Sequence, residues 1–245
     1  MKNTQLIAEK EVFRESGYSD WCYRVAIVGR NETKLNNVAQ QCAVHGAAPL
    51  IVRADVANEE KVKTIVKNTI EQFGQLDILV NNAGIYKLAL ITDPNILQTY
   101  DAVMNTNLRS VIQLTNLAAP YLTETKGNIV NVSSISSHRI FGEKYMSYAL
   151  SKIGMDHFTR AAALELAASG VRVNSVNPGP VKTDILDNCG VAAPGKSDEM
   201  WEQFKDVTPL GRIGEPEEIA ELIMFLASDK ARSITGSIFD SDNGF

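Results

Sequence analysis

Asn128–Arg160 reads NIVNVSSISSHRIFGEKYMSYALSKIGMDHFTR, and this stretch decides how the rest of the chain is read. Ile129–Val132 has the composition of a buried strand and runs into a serine cluster, Ser133, Ser134, Ser136 and Ser137. A helix follows, carrying Tyr148 and Lys152 four residues apart. That step places both side chains on one helix face, one turn from each other. A free phenol has a pKa near ~10 and is a poor proton donor at neutral pH. An ammonium roughly 5 Å away contributes about 3 kcal/mol at an effective dielectric near 20, or about two pKa units in favour of the phenolate. A tyrosine so placed moves toward the range of a general acid/base. Tyr145 has no such partner, because Ala149 occupies the position four residues on. Alone, the Tyr/Lys pair is also what an ordinary helix surface carries, so its meaning depends on the surrounding pattern.

Working outward, strands and helices alternate. Arg24–Val28 (RVAIV) reads as a buried strand and Glu32–His45 as a helix. Leu50–Ala54 is a strand, and Asn58–Phe73 a helix that Asn58 caps, with Val62, Ile65, Val66 and Ile70 along its apolar stripe. Leu76–Val80 is a strand, followed by a long helical region over Asn95–Leu122 with a break expected near Asn105–Leu108. After the Tyr/Lys helix come a strand at Val171–Val176, a helix at Pro216–Ser228 with proline in its first turn, and a strand at Ser237–Asp240. Such alternation predicts an α/β, doubly wound parallel sheet of Rossmann-like type, covered on both faces. Sheets of this kind bind ligands at the carboxyl ends of their strands, and most of the polar motifs fall there.

Residues 1–23 fit this scheme poorly. Leu6, Ile7, Val12 and Phe13 among charged residues suggest a short amphipathic helix ending near Gly17, and Tyr18–Tyr23 an irregular join. The chain is therefore divided into an atypical segment, 1–23, and one α/β domain, 24–245. At 245 residues it is long enough for a large core. The net charge of -5 gives no reason to expect nucleic acid or an anionic membrane as a partner, and the apolar runs are far short of a bilayer span. Cys22, Cys42 and Cys189 are scattered, as are His45, His138 and His157. No metal site is expected, and the thiols, with no signal-peptide pattern, suit a cytoplasmic protein.

Three further motifs give the Tyr/Lys helix its context: Asn81-Asn82-Ala83-Gly84 after one strand, Asn177-Pro178-Gly179-Pro180 after another, and the serine-ended strand itself. In this order and spacing they resemble the short-chain dehydrogenase/reductase family, including its 3-oxoacyl-ACP-reductase-like members, from about Arg24 to the C-terminus. The resemblance implies a catalytic set of Asn107, Ser134, Tyr148 and Lys152. Ser134 would hydrogen-bond the substrate oxygen, with Ser133, Ser136 and Ser137 as nearby alternatives. Tyr148 would be the general acid/base. Lys152 would tune it and hold the nicotinamide ribose. Asn107, with Asn105 as its alternative, would sustain a water relay at the helix break. Implied cofactor contacts are Asp55 at the adenine, Asn82, Ala83 and Gly84 along the adenosine side, Tyr148 and Lys152 at the ribose, and Pro178, Gly179, Val181 and Thr183 at the nicotinamide. Arg30 stands just past the strand end where an acid would bind the 2′-hydroxyl of NAD, so NADP(H) is favoured over NAD(H).

The resemblance implies a small-molecule ketone or secondary alcohol as substrate and a homodimer or homotetramer built on Asn95–Leu122 and Tyr145–Leu166. Asp184–Leu210 would form a substrate lid, with Gly190, Pro194 and Gly195 as breakers and Met200, Trp201 and Phe204 as an apolar face. The family's opening strand and its turn Thr-Gly-x-x-x-Gly-x-Gly, which lets backbone approach a pyrophosphate, have no counterpart before Arg24, where Gly17 is the one glycine. The first strand is thus expected to be absent or replaced. Near the C-terminus, Asp242-Asn243-Gly244 resembles the family's Asp-Gly-Gly, with asparagine for one glycine. The alternative reading is a truncated or variant member with impaired cofactor binding that acts as a non-catalytic subunit.

Overall fold

A computed structural model describes residues 5–13, 20–45, 48–188 and 196–245, with side chains from Arg24 on, His45 and Asn188 excepted. The elements are β1 (Gln5–Phe13), β2 (Asp20–Gly29), α1 (Glu32–His45), β3 (Leu50–Arg53), α2 (Glu59–Phe73), β4 (Ile78–Asn81), α3 (Ile96–Met104), a π-helical turn (Asn105–Arg109), α4 (Ser110–Thr125), β5 (Asn128–Val132), α5 (Met146–Leu166), β6 (Arg172–Pro178), α6 (Ile185–Asn188), α7 (Ser197–Lys205), α8 (Pro216–Ala227) and β7 (Ile238–Ser241). The seven strands lie in the order β3-β2-β1-β4-β5-β6-β7. β2/β3 and β4 through β7 pair in parallel, each parallel pair joined by a helix-bearing crossover.

The alternation of side chains along the central strands explains the two covered faces. On β4, Leu79 enters one core with Val62, Ile65, Leu114 and Leu122 of α2 and α4. Its neighbours Ile78 and Val80 enter the other, with Ile219, Ile223 and Leu226 of α8. β5 repeats this, Ile129 on the first side and Val130 on the second. Helix ends follow the sequence: the Asn58 side chain accepts from the Lys61 amide at the start of α2. Glu215 and Glu218 form a reciprocal cap around Pro216 at the start of α8. The break expected in the long helix is the π-helical turn at Asn105–Arg109.

Two expectations change at the amino end. Gln5–Phe13 is a strand, not a helix, and Asp20–Tyr23 extends β2 rather than forming an irregular join. β1 pairs antiparallel with β2 along its whole length and with β4 over Leu6–Ala8, so the sheet is mixed rather than all parallel. The slot between β2 and β4 has unpaired backbone groups on both sides, and pairing there outweighs the weak helical pattern of a short charged segment. Residues 14–19, including the Ser16-Gly17 pair, lie outside the described set, as do Gly190, Pro194 and Gly195 of the expected lid. The described parts of that lid are the helices α6 and α7.

At the other end of the sheet, Gly179 lies so close to Asp242 that a Cβ at this position would sit 2.7 Å from the Asp242 Cα. The replaced glycine in Asp242-Asn243-Gly244 keeps its left-handed backbone, with φ of 60° at Asn243, which asparagine tolerates better than most residues. No helix among the described residues is long and apolar enough to cross a membrane.

Candidate active site at the carboxyl edge of the sheet

β4, β5 and β6 end side by side, and the segments leaving them converge with α5. One cleft of about 180 Å³ is lined there by Asn82, Gly84, Ser133, Ser134, Tyr148, Lys152 and Thr183, together with Pro178, Gly179, Val181 and apolar side chains that include Trp201 and Ile219. These residues come from distant parts of the sequence. Parallel pairing brings Asn81 opposite Asn131 and Val132 opposite Val176, which gathers them. Ala83 is the exception in its motif: it packs against the core behind the cleft.

Tyr148, Lys152 and Asp156 form one row along α5, each four residues from the next. Lys152 is 4% exposed. Its Nζ donates to the Val132 carbonyl at 2.8 Å and lies 5.5 Å from the centre of the Tyr148 ring. Burial lowers its pKa from 10.5 to about 8, against a smaller opposing pull from the Asp156 carboxylate. An ammonium tied to one carbonyl at the cleft wall keeps two further protons for a ligand.

The serines are separated by their partners. Ser133 is buried and spends its proton on the Lys152 carbonyl at 3.1 Å. Ser137 is buried and accepts from the Asn177 amide nitrogen. Ser134 lines the cleft, its hydroxyl accepting from the Ser136 amide at 3.1 Å, which leaves its O–H to donate. Asn107 lies behind Gly84 in the π-helical turn. It clamps Ile85 twice, Oδ1 accepting from the amide and Nδ2 donating to the carbonyl, each at 2.8 Å, and Nδ2 also reaches Ser151 Oγ. Asn105 faces elsewhere, donating to the Ala57 carbonyl. At Gly84 a Cβ would meet only ordinary van der Waals contact, 3.5 Å from Asn107 Oδ1 and 4.0 Å from Lys152 Nζ.

Arg30 and Asp55 meet each other at the ends of β2 and β3, with Nη1 3.6 Å from Oδ2, and do not line the Tyr148 cleft. Asp55 Oδ1 also accepts from the Ala57 amide.

Sequence reasoning missed three features. The first is a buried polar frame beneath the cleft. Asn81 donates to Asn131, Asn131 donates to Thr159, and Asn177 donates to Asp156 at 3.0 Å. Its signal was polar residues at positions the strand alternation buries. The second is the ion pair between Lys34 of α1 and Asp184 after Thr183, at 2.8 Å, which nothing in a linear pattern reveals. The third is a chamber beyond Ser134 and Tyr148, walled by Tyr86, Phe141, Tyr145, Trp201 and Phe204. Tyr145, set aside as a decoy on helix spacing, belongs to that wall. Tyr86 packs edge-on against Tyr148, ring centres 5.2 Å apart at 86°.

The family model described as enoyl-(acyl carrier protein) reductase matches residues 18–245. The chain is 35% identical over 224 residues to the 3-oxoacyl-[acyl-carrier-protein] reductase FabG of Staphylococcus aureus strain Mu50, covering 91% of this chain and 87% of that protein. With the FabG of Thermotoga maritima it shares 38% identity over 192 residues, 78% of this chain and 74% of that one. A Caenorhabditis elegans short-chain dehydrogenase/reductase of unknown function, solved with cofactor, superposes with a TM-score of 0.83 at 35% identity, covering 89% of this chain and 84% of its own. Strand order, motif order and these matches over most of its length place the chain in the short-chain dehydrogenase/reductase family of oxidoreductases.

Proposed function

We propose that the chain interconverts a ketone and a secondary alcohol with NADP(H), Tyr148 serving as the general acid in reduction and the general base in oxidation. One observation carries this reading: Ser134 and Tyr148 line both the polar cleft that holds Lys152 and Gly84 and the aromatic chamber on the other side. A carbonyl oxygen at that junction meets two hydroxyls, with room for a flat ring on one side and for the rest of the substrate on the other.

The nicotinamide end of the cleft fits such a cofactor. Gly84 puts no side chain into the cleft, the spare protons of Lys152 suit a ribose, and the Val181–Thr183 segment offers backbone groups and a hydroxyl to a carboxamide. When bound, the reduced nicotinamide supplies a hydride to the carbonyl carbon. Ser134 donates to the carbonyl oxygen and fixes its position. The Tyr148 phenol passes its proton to that oxygen as negative charge builds there, and the buried Lys152 ammonium stabilises the phenolate left behind. Asn107 positions Gly84 and Ile85 through its clamp. Arg30, beside Asp55, supplies a guanidinium that suits a 2′-phosphate, which favours NADP(H) over NAD(H).

Exposed apolar residues on α4 and α5, among them Ile112, Leu150, Ile153 and Leu164, support pairing of copies through these helices. A dimer or tetramer by light scattering is expected, and a strict monomer would remove that element. A second reading, the non-catalytic subunit, is favoured by one feature: β1 presents its amino end at the cleft edge, Gln5 opposite Val28 and Leu6 opposite Val80. A phosphate turn after a first strand belongs at that strand's carboxyl end. Following NADPH absorbance with a panel of neutral ketones separates the readings. Substrate-dependent oxidation supports the enzyme, and none with any ketone supports the subunit.

A further inference from the structure

We infer that the substrate is an uncharged ketone bearing a single aromatic ring next to its carbonyl. This rests on the reductase reading above and narrows it. The chamber beyond Ser134 and Tyr148 is walled by six aromatic side chains, Tyr86, Phe141, Tyr145, Tyr148, Trp201 and Phe204. No charged side chain lines it among the described residues. An ionic substrate group would lose its hydration there and gain no ion pair.

The rings stand at angles to one another. Tyr86 meets Tyr148 at 86° and Tyr145 at 55°, and Trp201 meets Phe204 at 44°. Faces and edges are both presented to the interior, which suits offset and edge-to-face packing of another ring. A flexible alkyl chain would lose rotamer freedom on entering and gain none of these contacts. Size sets the ring count. The chamber, open on one side, offers about 120 Å³, close to the roughly 150 Å³ engineered apolar cavity that takes up benzene. That is room for one six-membered ring against the aromatic wall. Because Ser134 and Tyr148 line both compartments, a ring in the chamber brings an attached carbonyl to the two hydroxyls. The ketone then gains a hydride at carbon from NADPH and a proton at oxygen, and leaves as the secondary alcohol.

Acetophenone and 2-octanone test this, since both are neutral methyl ketones of eight carbons. With NADPH, kcat/KM for acetophenone is expected to exceed that for 2-octanone by about tenfold or more, and Phe204→Leu to narrow the ratio. Equal or reversed values, or a preference for a ketone bearing a trimethylammonium group, overturn the inference. Calorimetric titration of the whole chain with 1-phenylethanol and 2-octanol, without cofactor, gives a readout apart from turnover. Saturable binding of the aryl alcohol alone is expected, and it would uphold the chamber's specificity even if no ketone were reduced, in which case the reductase reading falls by itself. Absence of aryl binding, or equal binding of both alcohols, overturns the inference.

Discussion

The two halves of the sheet differ in how fully they are equipped. At β4–β6 the strand ends, the buried asparagine frame and α5 hold Ser134, Tyr148 and Lys152 against one cleft, each tied to a backbone or side-chain partner. At β1–β3 the corresponding edge carries Arg30 and Asp55, half exposed and joined by a 3.6 Å pair, and a central strand that runs against its neighbours. The proposed reacting end is thus assembled although the strand beside β4 runs antiparallel to it. The buried frame belongs to that first half: the side-chain bonds Asn81–Asn131, Asn131–Thr159 and Asn177–Asp156 join β4, β5 and β6 to one another and to α5.

Tyr148→Phe is the sharpest way to break the equipped half. General acid/base catalysis is worth roughly 10²- to 10⁴-fold, and a loss of that size in kcat is expected, with the thermal melt unchanged. Residual activity within tenfold of the parent would remove Tyr148 from the role. Lys152 gives the next largest effect, and with it a pH signature. If its ammonium stabilises the phenolate, ketone reduction falls as pH rises through about 8, the value to which burial lowers it. The sign for stability runs the other way. The folded state holds this proton less firmly than the unfolded chain does. The cost is therefore full below about pH 8 and is relieved between there and 10.5. Its upper bound is on the order of 3 kcal/mol, offset in part by the bond to Val132. Lys152→Met should thus lose most turnover and melt no lower than the parent at pH 7. A much lower melting temperature would make Lys152 a structural residue.

The β4–β6 half, the proposed catalytic one, was the more legible in sequence. Helix spacing alone put Tyr148 and Lys152 on one face, and the strand ends placed Ser134 and Gly84 near them. Which serine keeps its O–H for a ligand was not legible, because it depends on hydrogen bonds to Lys152 and Asn177 that only the assembled fold provides. The packing of Tyr145 against Tyr86 and Phe141 was not legible for a related reason: helix spacing does not encode it. In the other half, the charged Gln5–Phe13 segment carried a faint helical pattern, and the open sheet slot, a tertiary feature, decides its conformation.

Smaller effects belong to the less equipped half. Arg30→Ser is expected to raise the KM for NADPH about tenfold, equivalent to about 1.4 kcal/mol, while leaving that for NADH within a factor of two. Equal changes for both cofactors would remove Arg30 from 2′-phosphate recognition. The Lys34–Asp184 pair is partly exposed, so Lys34→Ala should cost less than about 1 kcal/mol in a chemical melt. A larger loss would show that α1 and the segment after Thr183 depend on each other.

Calorimetric titration of the whole chain with NADPH, beside a circular dichroism melt, tests the central claim most directly. The account predicts saturable binding at one site per chain and a cooperative melt. A cooperative melt with no NADPH binding would contradict it, leaving a folded short-chain dehydrogenase/reductase whose assembled Ser134–Tyr148–Lys152 edge serves no nicotinamide chemistry.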